Sequence, residues 1–118
     1  MKKELLERYS RQIIIKDIGA LGQKKISSSK ILIVGAGGLG CPVADLLSRA
    51  GVGEIGIVDN DKVTLSNLHR QTIYNNKDID KYKVNVLKDK LNKINSNVKI
   101  KVFKVRITEN NANDIIKR

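Results

Sequence analysis

Cysteine is almost absent from this chain: Cys41 is the single one among 118 residues. One thiol cannot close an internal disulfide, and it excludes a zinc site made of several cysteines within these residues. Such low cysteine usage is typical of reducing compartments, so we expect a cytoplasmic protein. Cys41 lies where a helix is predicted to begin, a position that can lower a thiol pKa. We favour the alternative that it packs as a small apolar group.

Long apolar runs are also missing, because no stretch of 18 apolar residues occurs. A membrane-spanning helix is therefore not expected, and the charged residues 1–7 do not match the apolar region of a signal peptide. The sequence has no tryptophan, one phenylalanine and three tyrosines, and no motif that reads RNA or DNA. The net charge of +11 thus does not indicate nucleic-acid binding. It predicts solubility or, alternatively, a basic surface for an acidic partner or for phosphates.

The residues that are present suffice for one small folded domain. Hydrophobic residues make up 41% of the chain, which is enough to build a core. Apolar periodicity predicts a helical arm over residues 1–29, followed over residues 30–118 by elements in the order β-α-β-α-β-α. The predicted elements are helices over 2–9 and 21–26, strands over 31–34, 54–58 and 98–105, helices over 39–49 and 79–94, and a last helix to Ile116, with Asp78 and Thr108 as candidate caps.

This alternation is typical of a Rossmann-like α/β fold, with a parallel sheet and helices on both faces. We expect the strand order 3-2-1, which leaves the first strand at an edge. Residues 31–34 are too continuously apolar for an edge and are instead typical of a strand buried on both faces. We therefore expect a fragment of a longer protein, or a chain whose partner covers that edge, and no clean monomer.

A glycine-rich turn joins the first predicted strand to the next helix. Gly35, Gly37 and Gly40 give the pattern G-x-G-x-x-G, which lets backbone N–H groups at a helix N-terminus approach phosphates closely. Asp59 ends the second strand, 19 residues beyond Gly40, where an acid would bind ribose hydroxyls. Taken alone, this motif favours NAD, and the glycines could also serve only a tight turn.

The residues after the second strand do not favour a dehydrogenase. Asp61, Asn67, Arg70, Gln71 and Lys83 follow it. Two cations beside a polyphosphate would offset the charge that develops during displacement at phosphorus. Arginine offers a fork for paired oxygens, and lysine offers a point charge. Hydride transfer has no need of them, so they favour phosphoryl or nucleotidyl transfer.

Four segments of the sequence resemble one enzyme family. They are RYSRQ at residues 8–12, GAGGLG at 35–40, DND at 59–61 and SNLHRQ at 66–71. This combination resembles the E1-like adenylyltransferases, the bacterial relatives of ubiquitin-activating enzyme typified by the MoeB, ThiF and HesA proteins. The resemblance covers nearly the whole chain, and the four motifs together are far more specific than the glycine motif alone.

The resemblance implies that ATP lies over the glycine turn, with its ribose on Asp59 and its phosphates near Arg70 and Lys83. Arg11 matches an arginine that reaches into the partner subunit's ATP site, so a homodimer is expected. The implied catalytic residues are Arg11, Arg70 and Lys83, and Asp61 is implied to support the loop. The full set of implied nucleotide-binding residues is Gly35, Gly37, Gly38, Gly40, Asp59, Asp61, Ser66, Asn67, Leu68, His69, Arg70 and Lys83.

The resemblance also implies a substrate and products. The C-terminal carboxylate of a small ubiquitin-like sulfur-carrier protein attacks the α-phosphorus of ATP, and an acyl-adenylate and pyrophosphate result, with Mg²⁺ assisting. Family members also carry a magnesium-binding aspartate and, in many cases, a Zn²⁺ site of two cysteine pairs, both of which would follow residue 118. We therefore expect no metal site in this chain and little activity from it alone. The resemblance does not identify the carrier or the pathway.

Two other functions remain open at this point: the NAD-binding module of an oxidoreductase, and a non-catalytic half that only dimerises. Individual residues also have structural alternatives. Asp59 could cap its own loop, Arg70 could form an ion pair, and Lys83 could be a solvated lysine on a lysine-rich helix. Arg11 could be a surface residue, and His69 is favoured as a loop residue without a catalytic role.

Overall fold

The computed structural model describes residues 2–117, which form a three-stranded sheet preceded by a helical arm. The arm consists of α1 (Lys3–Arg8), α2 (Ser10–Ile13) and α3 (Gly19–Ser27). The alternating part that follows consists of β1 (Lys30–Val34), α4 (Gly40–Ala50), β2 (Glu54–Val58), α5 (Lys83–Ile94), β3 (Lys99–Phe103) and α6 (Ala112–Lys117). The predicted order β-α-β-α-β-α is therefore confirmed, whereas the arm contains one helix, α2, that the sequence does not predict. None of the helices within these residues is both long and apolar enough to cross a membrane.

The sheet is parallel throughout, in the order β1-β2-β3, so the prediction that β1 lies at an edge is confirmed. In-register pairing joins Val34, Val58 and Phe103 at the ends of the three strands. The loops that leave these ends begin side by side along what we call the carboxyl edge of the sheet. The opposite, amino edge carries the C-terminus of α4 and the loops that enter β2 and β3. Ligands of open α/β sheets bind at the carboxyl edge.

One face of the sheet carries the main hydrophobic core, where the strands pack against α4 and α5. Its buried strand residues are Ile33, Ile55, Ile57 and Ile100. The predicted apolar stripe of α5 is confirmed, because Val84, Leu87 and Leu91 are fully buried in this core. Burial of each such side chain contributes about 1.5–3 kcal/mol. The stripe therefore holds α5, and with it Lys83 at its first position, on the sheet.

The other face of the sheet is only partly covered. Ile115 of α6 is buried and shares a cleft with Leu32, Gly56 and Phe103 of the sheet, so helices lie on both faces as predicted. Val34, at the end of β1, is 57% exposed. Within residues 2–117 no further element lies beside β1, as expected for its edge position, and cover from a longer protein or from a partner stays a prediction.

The long helix α5 begins later than predicted. Asp78 does not cap it, since the helix starts at Lys83. Asp78 instead lies in a 3₁₀ turn, where its carboxylate accepts a hydrogen bond from the Asn75 N–H at 2.8 Å and pairs with Lys90 at 2.6 Å. Asp80 then has a left-handed φ of +70°, which interrupts any helix ahead of residue 83.

The last helix begins late as well. Thr108 lies one turn before α6, and its carbonyl accepts hydrogen bonds from the N–H groups of Asn111 and Ala112 at 3.3 and 2.9 Å. The Thr108 N–H in turn donates to the Asn111 side chain at 2.7 Å. A turn closed by Asn111, rather than a cap formed by the Thr108 side chain, therefore leads into this helix.

Candidate functional site

The glycine-rich loop turns the chain from β1 into α4 at the carboxyl edge. Gly35 has a φ of +108°, which favours glycine, and its N–H donates to the Val58 carbonyl at 2.7 Å. A Cβ at Gly40 would lie 1.9 Å from the Gly35 carbonyl oxygen, so the start of α4 packs directly on the loop. Gly35 is therefore required by its backbone conformation and Gly40 by packing within the chain.

Gly37 and Gly38, between those two, face the segment that contains Arg70 and Gln71. A Cβ at Gly37 would lie 3.4 Å from Gln71 Nε2, whereas one at Gly38 would meet only Arg70 Cδ, at 3.9 Å. Packing within the protein therefore does not require a glycine at position 38. Its missing Cβ leaves an accessible backbone beside a guanidinium, at the N-terminus of an 11-residue helix. Such an arrangement fits a phosphate group.

Asp59 connects the glycine loop to the loop that follows β2. Its Oδ2 accepts a hydrogen bond from the Ala36 N–H at 2.8 Å, and its Oδ1 accepts one from the Asp61 N–H at 2.7 Å. The alternative that Asp59 caps its own loop is therefore realised, in addition to its place beside the glycine loop. Each carboxylate oxygen can accept a second hydrogen bond. The carboxylate consequently still suits two adjacent ribose hydroxyls.

Asn67 and Lys83 line one open cleft, of about 460 Å³, together with Asp61. The Asn67 side chain accepts a hydrogen bond from the Thr64 N–H at 3.0 Å and so closes its own turn. The Lys83 N–H donates to the Asp61 carbonyl at 3.0 Å, which ties the start of α5 to this loop. Because Lys83 is only 6% exposed, the alternative of a solvated surface lysine is wrong.

Arg70 and His69 share one backbone acceptor. The carbonyl of Ser66 lies 3.1 Å from Arg70 Nη1 and 2.9 Å from His69 Nδ1, and both side chains are exposed. Leu68, between Ser66 and these two, packs against the buried residues below. None of the ion pairs formed within residues 2–117 includes Arg70, so the alternative of a structural ion pair is wrong. The guanidinium therefore keeps donors for an added anion.

Arg11 is not brought to this site. It lies exposed on α2, in an arm that is fastened at the amino edge of the sheet. There, Gln12 Nε2 donates to the Ala50 carbonyl at 2.9 Å, and the Tyr9 ring lies 2.5 Å from where a Cβ on Gly51 would be. These contacts are at the C-terminus of α4, whereas the glycine loop is at its N-terminus. The length of that helix therefore separates this arm from the glycine loop of the same chain.

The predictions from sequence miss a buried cluster beneath the glycine loop. The Tyr74 hydroxyl donates to the Ala36 carbonyl oxygen at 2.7 Å, and the Cys41 thiol donates to the same oxygen at 3.2 Å. Burial raises the pKa of the Cys41 thiol and the pKa of the Tyr74 hydroxyl, so both groups keep their protons. The prediction that Cys41 packs in the interior is confirmed, and a lowered thiol pKa is excluded. No local pattern in the sequence indicates the contact of Tyr74 with Ala36, which is 38 residues away.

Metal-binding side chains are not clustered in the described part of the chain. Within residues 2–117, no group of three histidine, cysteine, aspartate or glutamate side chains could hold a metal ion. The candidate site combines backbone N–H groups, one carboxylate and two cations, a set that suits the ribose and phosphates of a nucleotide.

Known proteins share this sequence and fold. The profile of the ThiF family matches residues 9–118. The sulfur carrier protein adenylyltransferase of Thermus thermophilus is 42% identical over 115 residues, which are 98% of this chain and 42% of that protein. The adenylyltransferase and sulfurtransferase UBA4 of Debaryomyces hansenii is 45% identical over 113 residues, 95% of this chain and 25% of that protein. Among solved structures, E. coli MccB is similar with a TM-score of 0.84 and 32% identity, over 92% of this chain and 33% of that one. The chain thus spans less than half of the length of each of these relatives.

Proposed function

The chain belongs to the ThiF family, and on that premise we propose that it forms the ATP-binding part of an adenylyltransferase. The proposed substrate is the C-terminal carboxylate of a small ubiquitin-like sulfur-carrier protein, since a relative at 42% identity is named a sulfur carrier protein adenylyltransferase. The observation that carries the proposal is the convergence of three groups at one edge of the sheet. They are the accessible backbone of Gly38, the Asp59 carboxylate and the Arg70 guanidinium.

In the proposed reaction, a carboxylate oxygen of the carrier attacks the α-phosphorus of ATP. A bond forms between that oxygen and phosphorus, the bond from phosphorus to pyrophosphate breaks, and an acyl-adenylate results. Asp59 binds the ribose and so fixes the α-phosphate relative to the glycine loop. Arg70 and Lys83 supply positive charge where negative charge builds up on the leaving pyrophosphate. These two cations are the part of the site that an NAD-dependent hydride transfer would not use.

We propose magnesium only as the ion that accompanies ATP. A zinc site of the kind found in some family members would need cysteines other than Cys41, the single one in this sequence. We also propose a cytoplasmic location, because the free Cys41 thiol suits a reducing compartment.

We propose that the enzyme works as a homodimer in which Arg11 serves the ATP site of the partner. The fastening of its arm at the amino edge supports this, because it keeps Arg11 away from the glycine loop of its own chain. In this proposal residues 30–118 are the nucleotide-binding half, and residues 1–29 are an arm that contributes to the partner's site.

The proposed nucleotide is tested by calorimetric titration of the chain with ATP and Mg²⁺, and in parallel with NAD. We expect ATP to bind and NAD not to bind. Arg70→Ala is expected to weaken ATP binding by about 10- to 100-fold, the usual value of a charge-assisted hydrogen bond. The matched control is Arg49→Ala, which removes an exposed arginine from the far end of α4 and should leave ATP affinity unchanged.

Other outcomes of this titration distinguish the alternatives. Binding of NAD that is indifferent to Arg70→Ala would reject the adenylyltransferase in favour of an oxidoreductase module. A dimer in sedimentation that binds neither nucleotide would indicate a half that only dimerises.

A further inference from the structure

The two peptide groups that flank Ala36 in the glycine loop are held by three hydrogen bonds. The Ala36 N–H donates to Asp59 at 2.8 Å, and the Ala36 carbonyl accepts from Tyr74 at 2.7 Å and from Cys41 at 3.2 Å. Ala36 is fully buried, and Tyr74 and Cys41 are nearly so. Of these three side chains only the Asp59 carboxylate has a part in the proposed nucleotide site. Tyr74 and Cys41 have no contact role there.

The direction of the Ala36 carbonyl fixes the direction of the next N–H. In a trans peptide the C=O and N–H bonds point in opposite directions, and the chain has no cis peptide bond among its described residues. The Ala36 carbonyl points inward to Tyr74, so the Gly37 N–H points away from the buried cluster. Hydrogen bonds from Tyr74 and Cys41 therefore hold this N–H on the side of the loop opposite the buried cluster, where a phosphate could accept from it.

Tyr74 also joins the two segments of the proposed site. Its N–H donates to the Gln71 carbonyl at 3.1 Å, and the Gln71 side chain lies against Gly37. Gln71 is nearly fully buried, and its Oε1 has no hydrogen-bond partner within residues 2–117. Tyr74 thus fixes the distance between the glycine loop and the segment that carries Arg70.

We propose that Tyr74, with Cys41 as a weaker second donor, is a positioning residue that sets nucleotide affinity without touching the nucleotide. This inference rests on the proposed function, because it takes a nucleotide phosphate as the ligand of the glycine loop. Removal of the hydroxyl leaves the Ala36 carbonyl with only the thiol, a weak donor. The peptide can then rotate, and the Gly37 N–H is no longer held in the orientation that a phosphate needs.

The test compares two tyrosines at opposite edges of the sheet. Tyr74→Phe should weaken ATP binding by about tenfold, the upper range for one neutral hydrogen bond. Tyr9→Phe is the matched control, since Tyr9 is as buried as Tyr74 and its hydroxyl accepts a hydrogen bond from Asn95 at 2.9 Å. Both variants should unfold at lower urea concentration than the parent chain, but only the first should change the ATP dissociation constant. Equal ATP affinity in the parent chain and Tyr74→Phe would overturn the proposal.

A second measurement separates this inference from the proposed function. Amide hydrogen exchange at Gly37 and Gly38, measured by NMR without nucleotide, should become faster in Tyr74→Phe and stay unchanged in Tyr9→Phe. If the parent chain binds no ATP, the proposed nucleotide function of this chain fails, and the exchange rates still decide the role of Tyr74. Unchanged exchange at Gly37 in Tyr74→Phe would then reject a positioning role.

Discussion

The two ends of α4 differ in whether other parts of the protein supply hydrogen-bond partners for them. At its C-terminus, Gly51 adopts a left-handed conformation, and side chains from distant parts of the sequence bind the last carbonyls. Gln12 and Gln23 donate to the Ala50 carbonyl at 2.9 and 3.1 Å, and Asn95 donates to the Ser48 carbonyl at 2.8 Å. At its N-terminus, Leu39 provides no side-chain cap, and Pro42 in the first turn has no N–H to offer.

One end of this helix therefore contributes to stability, and the other end is available to a ligand. Every helix leaves N–H groups at its start and carbonyls at its end without partners inside the helix. At the end of α4 the protein supplies the partners itself, and buries them. At the start, the glycine loop leaves the backbone beside Gly38 accessible and places Arg70 next to it. The closed end, defined by Gln12, Gln23, Ala50 and Asn95, therefore serves stability, and the open end, residues 35–40, serves a ligand.

Gly40→Ala should have the largest effect on stability, because it disrupts the packing of α4 against the glycine loop. The added Cβ would lie 1.9 Å from the Gly35 carbonyl oxygen, a backbone atom that cannot move aside cheaply. We expect a loss of about 4 kcal/mol or more in the free energy of unfolding, measured by urea denaturation. Near-parental stability would show that the loop and α4 are not packed as described.

Asn95→Ala should break the closed end while it leaves the open end intact. The substitution removes donors to the Tyr9 hydroxyl and the Ser48 carbonyl, both in buried surroundings. We expect a loss of about 2–3 kcal/mol in the free energy of unfolding and no change in ATP affinity by calorimetry. A tenfold change in that affinity would mean that the two ends are energetically coupled, and would contradict the separate roles given to them.

Asp78→Asn tests the ion pair between Asp78 and Lys90, through the dependence of stability on pH. Burial alone would raise the pKa of Asp78, but hydrogen bonds from Lys90 and the Asn75 N–H outweigh it and lower that pKa below the ordinary value of 3.8. The stabilisation is therefore complete above the ordinary pKa and is lost as the pH falls through the lowered folded value. We expect Asp78→Asn to cost about 1–3 kcal/mol at neutral pH and to flatten the decline in stability below about pH 4. An unchanged acid limb in urea denaturation at several pH values would contradict this.

Gly38→Ala should have the smallest effect on stability and the sharpest effect on binding. Its Cβ would meet only Arg70 Cδ, at an ordinary contact distance of 3.9 Å. We expect a change within about 0.5 kcal/mol in the free energy of unfolding, together with ATP affinity lowered by about tenfold or more as the methyl group occupies the phosphate approach. Unaltered ATP binding would place the phosphates elsewhere.

The features that sequence predicts here are those with a regular period or a fixed place after a strand. The stripe of Val84, Leu87 and Leu91 follows helical spacing, and Asp59 follows a continuous apolar strand, so both are found. The start of α5 is misplaced because a left-handed Asp80 and an ion pair of Asp78 lie in a segment without periodicity. Local signals there favour a cap, and a contact 12 residues away decides otherwise.

Two features of the site depend on long-range packing that no local pattern reports. Lys83 has lysine-rich neighbours in sequence, yet the tie of its backbone to Asp61 and the burial of the following stripe remove it from solvent. Tyr74 contacts Ala36 across 38 residues of chain. The residue types of the candidate site can therefore be picked out from the sequence, whereas the hydrogen bonds that hold its backbone in place cannot.

Because Gln12 and Gln23 both donate hydrogen bonds to the Ala50 carbonyl, α4 connects the arm to the glycine loop. An 11-residue helix is a rod about 16 Å long, fixed at one end to the arm and continuous at the other with the glycine loop. A force that displaces the arm must either break the partly buried hydrogen bonds from Gln12 and Gln23 to Ala50 or move the helix with the arm. A protein that grips residues 9–23 therefore has a mechanical connection to the glycine loop at the opposite edge of the sheet.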